Sequence, residues 1–483
     1  MKKIYLKLFA VSILLILTFS ACGKTVEENN LDAIEIELSD DAVFVDGKEV
    51  GQDSKSAVYV ANDIIYYEDG KDFTYGEGSE KDAHSLDEAT AHTVVYITEP
   101  GVYSLSGTLS LGQIAVDLGK DAKENPEAVV TLILNGVDIT CELAPAVIFY
   151  NVYECGSDDA EQASKNVNTS KAGANVIIAD GTTNNIHGAY VAKIYKPETV
   201  VLDENKSKVE DAKKLHKYDG AFYSRMSINV GGDEVGDGVL NIYAKNEGLD
   251  SELHLTINGG NINIYSANDG INTNEDGVSV TTINAGTLKI QVTGETGEGD
   301  GIDSNGWLVI NGGEVIAFAC SNSADAGIDS DMGIHINGGT VLATGHMLDR
   351  IEEGGQSYAL FQVRSQQSKG ENLLLKDASE TVVAELNPEN AYSILIYSSS
   401  EIKNETYTLW NKNGEKVSES GGAMFGPGMH GRPDKMPEGF EGMMPPEGFE
   451  GMMPPEGFEG MMPPEGFEGK MPPERGEKHV NIQ

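Results

Sequence analysis

Near the middle of the chain the sequence repeats itself every 26 or 27 residues, and this period limits the fold more than any other feature. Asn258-Gly259-Gly260 returns as Asn284-Ala285-Gly286, Asn311-Gly312-Gly313 and Asn337-Gly338-Gly339. Alternating apolar positions precede these turns, as at Leu255/Ile257, Leu308/Ile310 and Ile334/Ile336. Between the turns runs a second phrase, Gly-[Leu/Ile]-[Asp/Asn]-[Ser/Thr], at Gly248–Ser251, Gly270–Thr273, Gly301–Ser304 and Gly327–Ser330. A fixed short period with strand-like alternation and Gly/Asn turns predicts a β-solenoid. One coil cannot bury its inward side chains alone, so successive coils stack and share a core. Ile257, Ile283, Ile310 and Ile336 are the expected inward column.

The ends of the chain read differently. Lys2, Lys3 and Lys7 precede an apolar run from Leu8 to Phe19 that closes on Ser20-Ala21-Cys22-Gly23. A charged start, a short apolar stretch and small residues form an export signal. Cys22 directly after Ser-Ala resembles the lipidated cysteine of bacterial lipoproteins, although Phe19 stands where that pattern prefers Leu. The expectation is an exported protein, lipid-anchored through Cys22 to the outer face of the cytoplasmic membrane. The far end repeats Gly-Phe-Glu-Gly-Met-Met-Pro-Pro-Glu from Gly439 onward. Such Pro, Gly and Glu density builds no core and is expected to be disordered.

The divisions that follow are 1–21 signal peptide, 22–92 linker with a few strands, 93–345 solenoid, 346–418 a small β cap and 419–483 the tail. The class is all-β. Residues 203–218 are charged and helix-compatible and read as an insertion between coils. Apart from Cys22, Cys141, Cys155 and Cys320 remain, too few for a disulfide framework.

A net charge of −43 argues against nucleic acid as a partner. It equally opposes unaided contact with anionic polymers. The acidic residues fall into two expected columns. One contains Asp250, Asn272, Asp303 and Asp329; the other Glu247, Asp269 and Asp300, with Asp325 displaced by one residue. Neighbouring parallel strands lie about 4.8 Å apart, close to the span of two oxygens on either side of a Ca²⁺ ion. Asp stacked on Asp costs repulsion that a bound cation removes, so calcium is the expected cofactor. The competing reading, a ladder of turn residues without metal, could have used Asn throughout.

Further phrases carry a resemblance: Tyr103-Ser104-Leu105-Ser106-Gly107-Thr108, Leu132-Ile133-Leu134-Asn135-Gly136-Val137-Asp138-Ile139, Ala221-Phe222-Tyr223-Ser224, Asn268-Asp269-Gly270-Ile271 and Gly299-Asp300-Gly301-Ile302-Asp303-Ser304. Over residues 93–412 the chain resembles the carbohydrate-binding domain of clostridial cell-surface lipoproteins. That resemblance implies a right-handed parallel β-helix related in shape to pectate lyases. It also implies calcium sites and an acidic, pectin-like plant-wall polysaccharide as partner.

Aromatic platforms for sugar are sparse, and Trp307, Tyr265 and Tyr223 are the candidates. A calcium-dependent polysaccharide lyase is the alternative. Its chemistry needs an Arg or Lys base beside the metal, and Arg225, which follows Tyr223-Ser224, is not expected on a basic face with a second Arg or Lys. His254 and His335 alternate with apolar residues and are expected on a solvated face. The reading is therefore a non-enzymatic binder, with an envelope spacer or adhesin as a second alternative.

Overall fold

A computed structural model describes residues 33–420. The export signal, Cys22 and nearly all of the 419–483 segment lie outside the described residues. Within them one α-helix occurs, the six-residue Leu86–Ala91, and the rest is β-structure, short 3-10 turns and loops. No helix among the described residues is long and apolar enough to cross a membrane.

The repeat sets the strand register. Ile228–Gly232, His254–Ile257, Val280–Ile283, Trp307–Ile310 and Gly333–Ile336 pair in parallel, each with the equivalent strand one repeat on. A second parallel ladder runs through Thr183–Gly188, Val239–Ala244, Asn261–Ser266, Thr287–Val292, Glu314–Phe318 and Thr340–Gly345. The third joins Val147–Asn151, Gly220–Ser224, Glu247–Ser251, Ile271–Thr273 and Ile302–Ser304. Ile257, Ile283, Ile310 and Ile336 stand in register in the first ladder, each at most 1% exposed. They belong to a single apolar cluster that extends from Ile36 to Ile396.

Two kinds of glycine hold this register. The last residue of each Asn-Gly-Gly turn is left-handed, with φ of 84° at Gly260, 90° at Gly286, 80° at Gly313 and 84° at Gly339. Only Gly reaches that region without strain, whereas Ala285 shows that the preceding position tolerates a side chain. Gly248, Gly270 and Gly301 serve differently, by close approach. A Cβ at Gly270 would lie 2.1 Å from Ile290 Cγ2 and 2.6 Å from the Gly301 carbonyl. Gly270→Ala is therefore expected to cost about 3 kcal/mol through overpacking. Thermal melting checks this against Gly51→Ala, where a Cβ meets nothing.

Before Thr93 the chain already contributes to the sheets: Ile34–Leu38 pairs in parallel with Gly101–Leu109, and Val58–Ala61 antiparallel with Thr93–Ile97. At the other end Tyr392–Ser398 pairs antiparallel with Thr340–Gly345, the last strand of the second ladder. A separate apolar cluster there, including Phe361, Leu395 and Leu409, covers Phe318 and Leu342. Exposed edge groups are thereby paired.

Two expectations need correction. Residues 203–218 are not helical but form hairpin strands. Val209–Asp211 pairs with Val201–Leu202, and Lys214–Tyr218 with Val191–Tyr195. The Asp203 carboxylate accepts from the amides of Ser207 (2.5 Å) and Lys208 (3.0 Å), closing a tight loop with Lys206 left-handed. Pairing and this loop outweigh the helix propensity of the charged residues. His254 is not on a solvated face: it is 2% exposed and accepts from the Val280 amide through Nδ1 (3.1 Å). The segment between Asn151 and Ala174 crosses that sheet face and covers it. Its Gly156 packs on the imidazole, and its Thr169 hydroxyl is 2.7 Å from that of Thr256. Burial lowers the His254 pKa to about 4, so the ring is neutral. Cys141, Cys155 and Cys320 are free, the first and last buried.

Candidate metal centre and glycan surfaces

The third ladder places the first acidic column. Tyr223, Asp250, Asn272 and Asp303 follow one another in register. Asp329 comes directly after Ile328, which bridges Ile302. At the start of this column three carboxylates converge. One oxygen each of Asp219, Glu247 and Asp250 lies within 4.8 Å of the others, with exposures of 7%, 6% and 0%.

Their partners do not balance them. Lys217 Nζ meets Asp219 Oδ2 at 2.5 Å, and Asn274 Nδ2 donates to Asp250 Oδ1 at 2.6 Å. Glu247 Oε2, Asp250 Oδ2 and the adjacent Asn272 Oδ1 are buried with no hydrogen-bond partner. Buried polar atoms are normally satisfied, and each orphan costs about 1–3 kcal/mol. Burial and then the neighbouring carboxylates push Glu247 and Asp250 well above the usual carboxylate range. Asp219 is also raised by burial, against the opposing pull of Lys217. The set fits a hard cation: it is all oxygen, closely spaced, buried and short of positive charge.

Beyond Glu247, the members of the second acidic column are hydrogen-bonded to backbone amides. Asp269 Oδ1 accepts from the Asp300 amide (2.7 Å), and Asp300 Oδ1 from the Ala326 amide (2.5 Å). Asp325 accepts from the Gly299 amide (2.6 Å) and the Ser323 hydroxyl. These three side chains cap backbone groups of the adjoining repeat. Asp303 and Asp329 stay in the first column, and burial with neighbouring carboxylates pushes each up to about 7. Neither joins the converging trio.

Of the aromatic candidates, Tyr223 is 1% exposed and its hydroxyl is bound to Glu252 and the Lys217 carbonyl. It is a core side chain and offers no platform to solvent. Trp307 is half-buried, between Val280 and Gly333 in the ladder. Tyr265 stacks on Tyr243, which stacks on His187, with centroids 5.2 and 4.5 Å apart and planes within 9°. Both faces of Tyr243 and one face of Tyr265 are thus taken up by stacking.

Arg225, against expectation, shares its surroundings with other cations. It lines a cleft of about 270 Å³ with Lys123, Lys214 and Lys217, together with Glu154, Asp158, Glu252 and Glu275. Lys123 pairs with Asp158 (3.3 Å) and Lys214 with Glu252 (2.7 Å). Lys217 links this cleft to the acidic trio. Lys289 pairs with Glu389 (2.7 Å).

Sequence reading did not single out Asp219. Its signal was an acidic residue before a glycine, Asp219-Gly220, but displaced by one from the step Glu247-Gly248, since Gly220 itself pairs with Glu247 in the ladder. The step was obscured because Ala221-Phe222 follows it instead of Leu/Ile and Asp/Asn.

An all-β chain of stacked repeats with an acidic trio beside a mixed-charge cleft defines the class. The chain belongs to the family of carbohydrate-binding domain-containing proteins, whose model matches residues 91–173 and 159–383. A protein of that description from Acetivibrio thermocellus is 32% identical over 170 residues, 35% of this chain and 43% of that protein. The match thus spans less than half the relative's length. Among solved structures, a polysaccharide lyase-like protein from C. thermocellum, as a gadolinium derivative, is similar with TM-score 0.37 and 21% identity. That similarity covers 67% of this chain and 95% of the other.

Proposed function

We propose that this protein is an exported, lipid-anchored polysaccharide-binding protein whose three ladders wind as a right-handed parallel β-helix. It binds acidic, pectin-like chains at the cell surface in a calcium-dependent manner and without catalysis. The observation that carries this reading is the buried trio Asp219, Glu247 and Asp250 with its orphaned oxygens. These residues, with the Asn272 carbonyl oxygen, would hold the ion, which supplies positive charge where three carboxylates converge. Neutralising them removes the repulsion a uronate polymer would meet at the neighbouring cleft, where Arg225 and Lys123 offer cationic groups. The lipid anchor rests on Cys22 and the residues before it.

A lyase remains the second reading because Arg225 and three lysines line one cleft beside the trio. Binding of polygalacturonate by the full mature chain, in calcium and in chelator, tests both. Retention in calcium, loss of at least tenfold in affinity with chelator, and no unsaturated product is the expected result. Release of unsaturated product would make it a lyase. Equal failure to bind in both conditions would remove acidic polymers as ligand and favour the spacer.

A further inference from the structure

A second groove lies on the outer face of the first ladder, with a volume of about 430 Å³. One wall is a ladder of side-chain amides. Asn284 Nδ2 donates to Asn258 Oδ1 (2.8 Å), Asn311 to Asn284 (2.9 Å) and Asn337 to Asn311 (2.9 Å). All four are exposed. The other wall is the segment from Lys165 to Ser170. It is pinned to the sheet: the Thr169 hydroxyl lies 2.7 Å from both Asn229 Oδ1 and the Thr256 hydroxyl, and Asn229 Nδ2 donates to the Thr169 carbonyl (2.8 Å). The groove is therefore built, not a gap beside a loose loop.

Its chemistry is unlike the rest of the molecule. The lining contains seven asparagines, one charged residue, Lys165, and no Asp or Glu, in a chain with 77 acidic residues. A primary amide carries two donors and an acceptor with two lone pairs. Each interior rung spends one donor and one lone pair on its neighbours, so one N–H and one lone pair per rung remain. These recur along the groove at the strand spacing of about 4.8 Å, close to the length of one sugar unit in an extended glycan. Hydroxyl groups, which donate and accept, match such a comb; carboxylates, which only accept, do not.

We infer that this groove binds an uncharged polysaccharide strand running across the repeats, independently of calcium and of the acidic trio. Asn258, Asn284, Asn311 and Asn337 supply the hydrogen bonds, and Thr282 with Val309 lines the groove between its walls. This second ligand class goes beyond the calcium-dependent reading.

The test is an array of uncharged and acidic oligosaccharides probed with the full mature chain in EDTA. At least one uncharged glycan is expected to bind. Its affinity is expected to fall at least tenfold in Asn284→Ala/Asn311→Ala, with polygalacturonate binding in calcium unchanged. Thr282→Tyr, which fills the groove and leaves the amides intact, gives the same loss and decides the matter if the double variant does not fold. No uncharged ligand in EDTA, or uncharged binding undiminished by Thr282→Tyr, overturns the assignment. Failure of polygalacturonate binding alone would bear on the calcium reading and leave the groove standing.

Discussion

Asp250→Asn is expected to abolish the rise in melting temperature expected of the native chain in calcium. An ion at a hundred times its dissociation constant stabilises a protein by about 2.7 kcal/mol, and the variant should lose essentially all of that increment. Asp250 is the central loss because it is fully buried and one of its oxygens is orphaned. In chelator the sign reverses. Asn removes a charge that burial and the neighbouring carboxylates Asp219 and Glu252 disfavour, so the metal-free variant should melt above the metal-free native chain. Glu247→Gln should behave alike. A surface control is necessary at a net charge of −43, because exposed carboxylates also attract calcium weakly. Glu314→Gln, at an exposed position, should keep the full calcium response. Differential scanning calorimetry of the three variants with calcium and with EDTA checks this. An undiminished response in Asp250→Asn would remove the trio as the cation site.

Lowering the pH from 8 to 5 in chelator is expected to stabilise the native chain. Burial and neighbouring carboxylates push Asp303 and Asp329 up to about 7 in the folded state. In the unfolded chain the same groups ionise near about 3.9. Between these values the folded protein holds protons that the unfolded chain has released. Stability therefore falls as pH rises through the window from about 4 to 7, by up to about 1.4 kcal/mol per unit for each group. Above that window the loss is complete and the curve flattens. Buried His254, lowered to about 4, works in the opposite direction inside this window and makes the fall shallower. Asp82, held below the ordinary range by hydrogen bonds from Tyr190 and Ser79 against the effect of burial, steepens acid loss at lower pH. Asp303→Asn/Asp329→Asn should flatten the slope between pH 5 and 7, as read from melting curves in EDTA. An unchanged slope would show that these two carboxyls ionise normally in the fold.

Repetition made much of this architecture legible in advance. Each Asn-Gly-Gly turn sets a left-handed backbone at the same place in the repeat, and each Ile before it must face inward. Ile257, Ile283, Ile310 and Ile336 consequently stand in register, and Asp250, Asn272 and Asp303 align in the neighbouring ladder. Local periodicity suffices there because one-residue slips would turn every apolar side chain outward.

What periodicity could not decide lies where non-repeating segments meet the repeats. Asp219 joins Glu247 and Asp250 only because the hairpins of 201–218 deliver Lys217 and Asp219 to the ladder edge. Arg225 and Lys123 are about a hundred positions apart and share a cleft through the same packing. The segment between Asn151 and Ala174 buries His254 and walls the asparagine groove, and its sequence carries no strand pattern that announces either role. Repetition along the chain thus dictates the repeat, its register and its apolar column, since these follow from interactions that recur every 26 or 27 residues. Tertiary structure alone decided which carboxylates are buried together and which amides line a cavity, because burial and desolvation depend on segments distant in sequence closing over the same face.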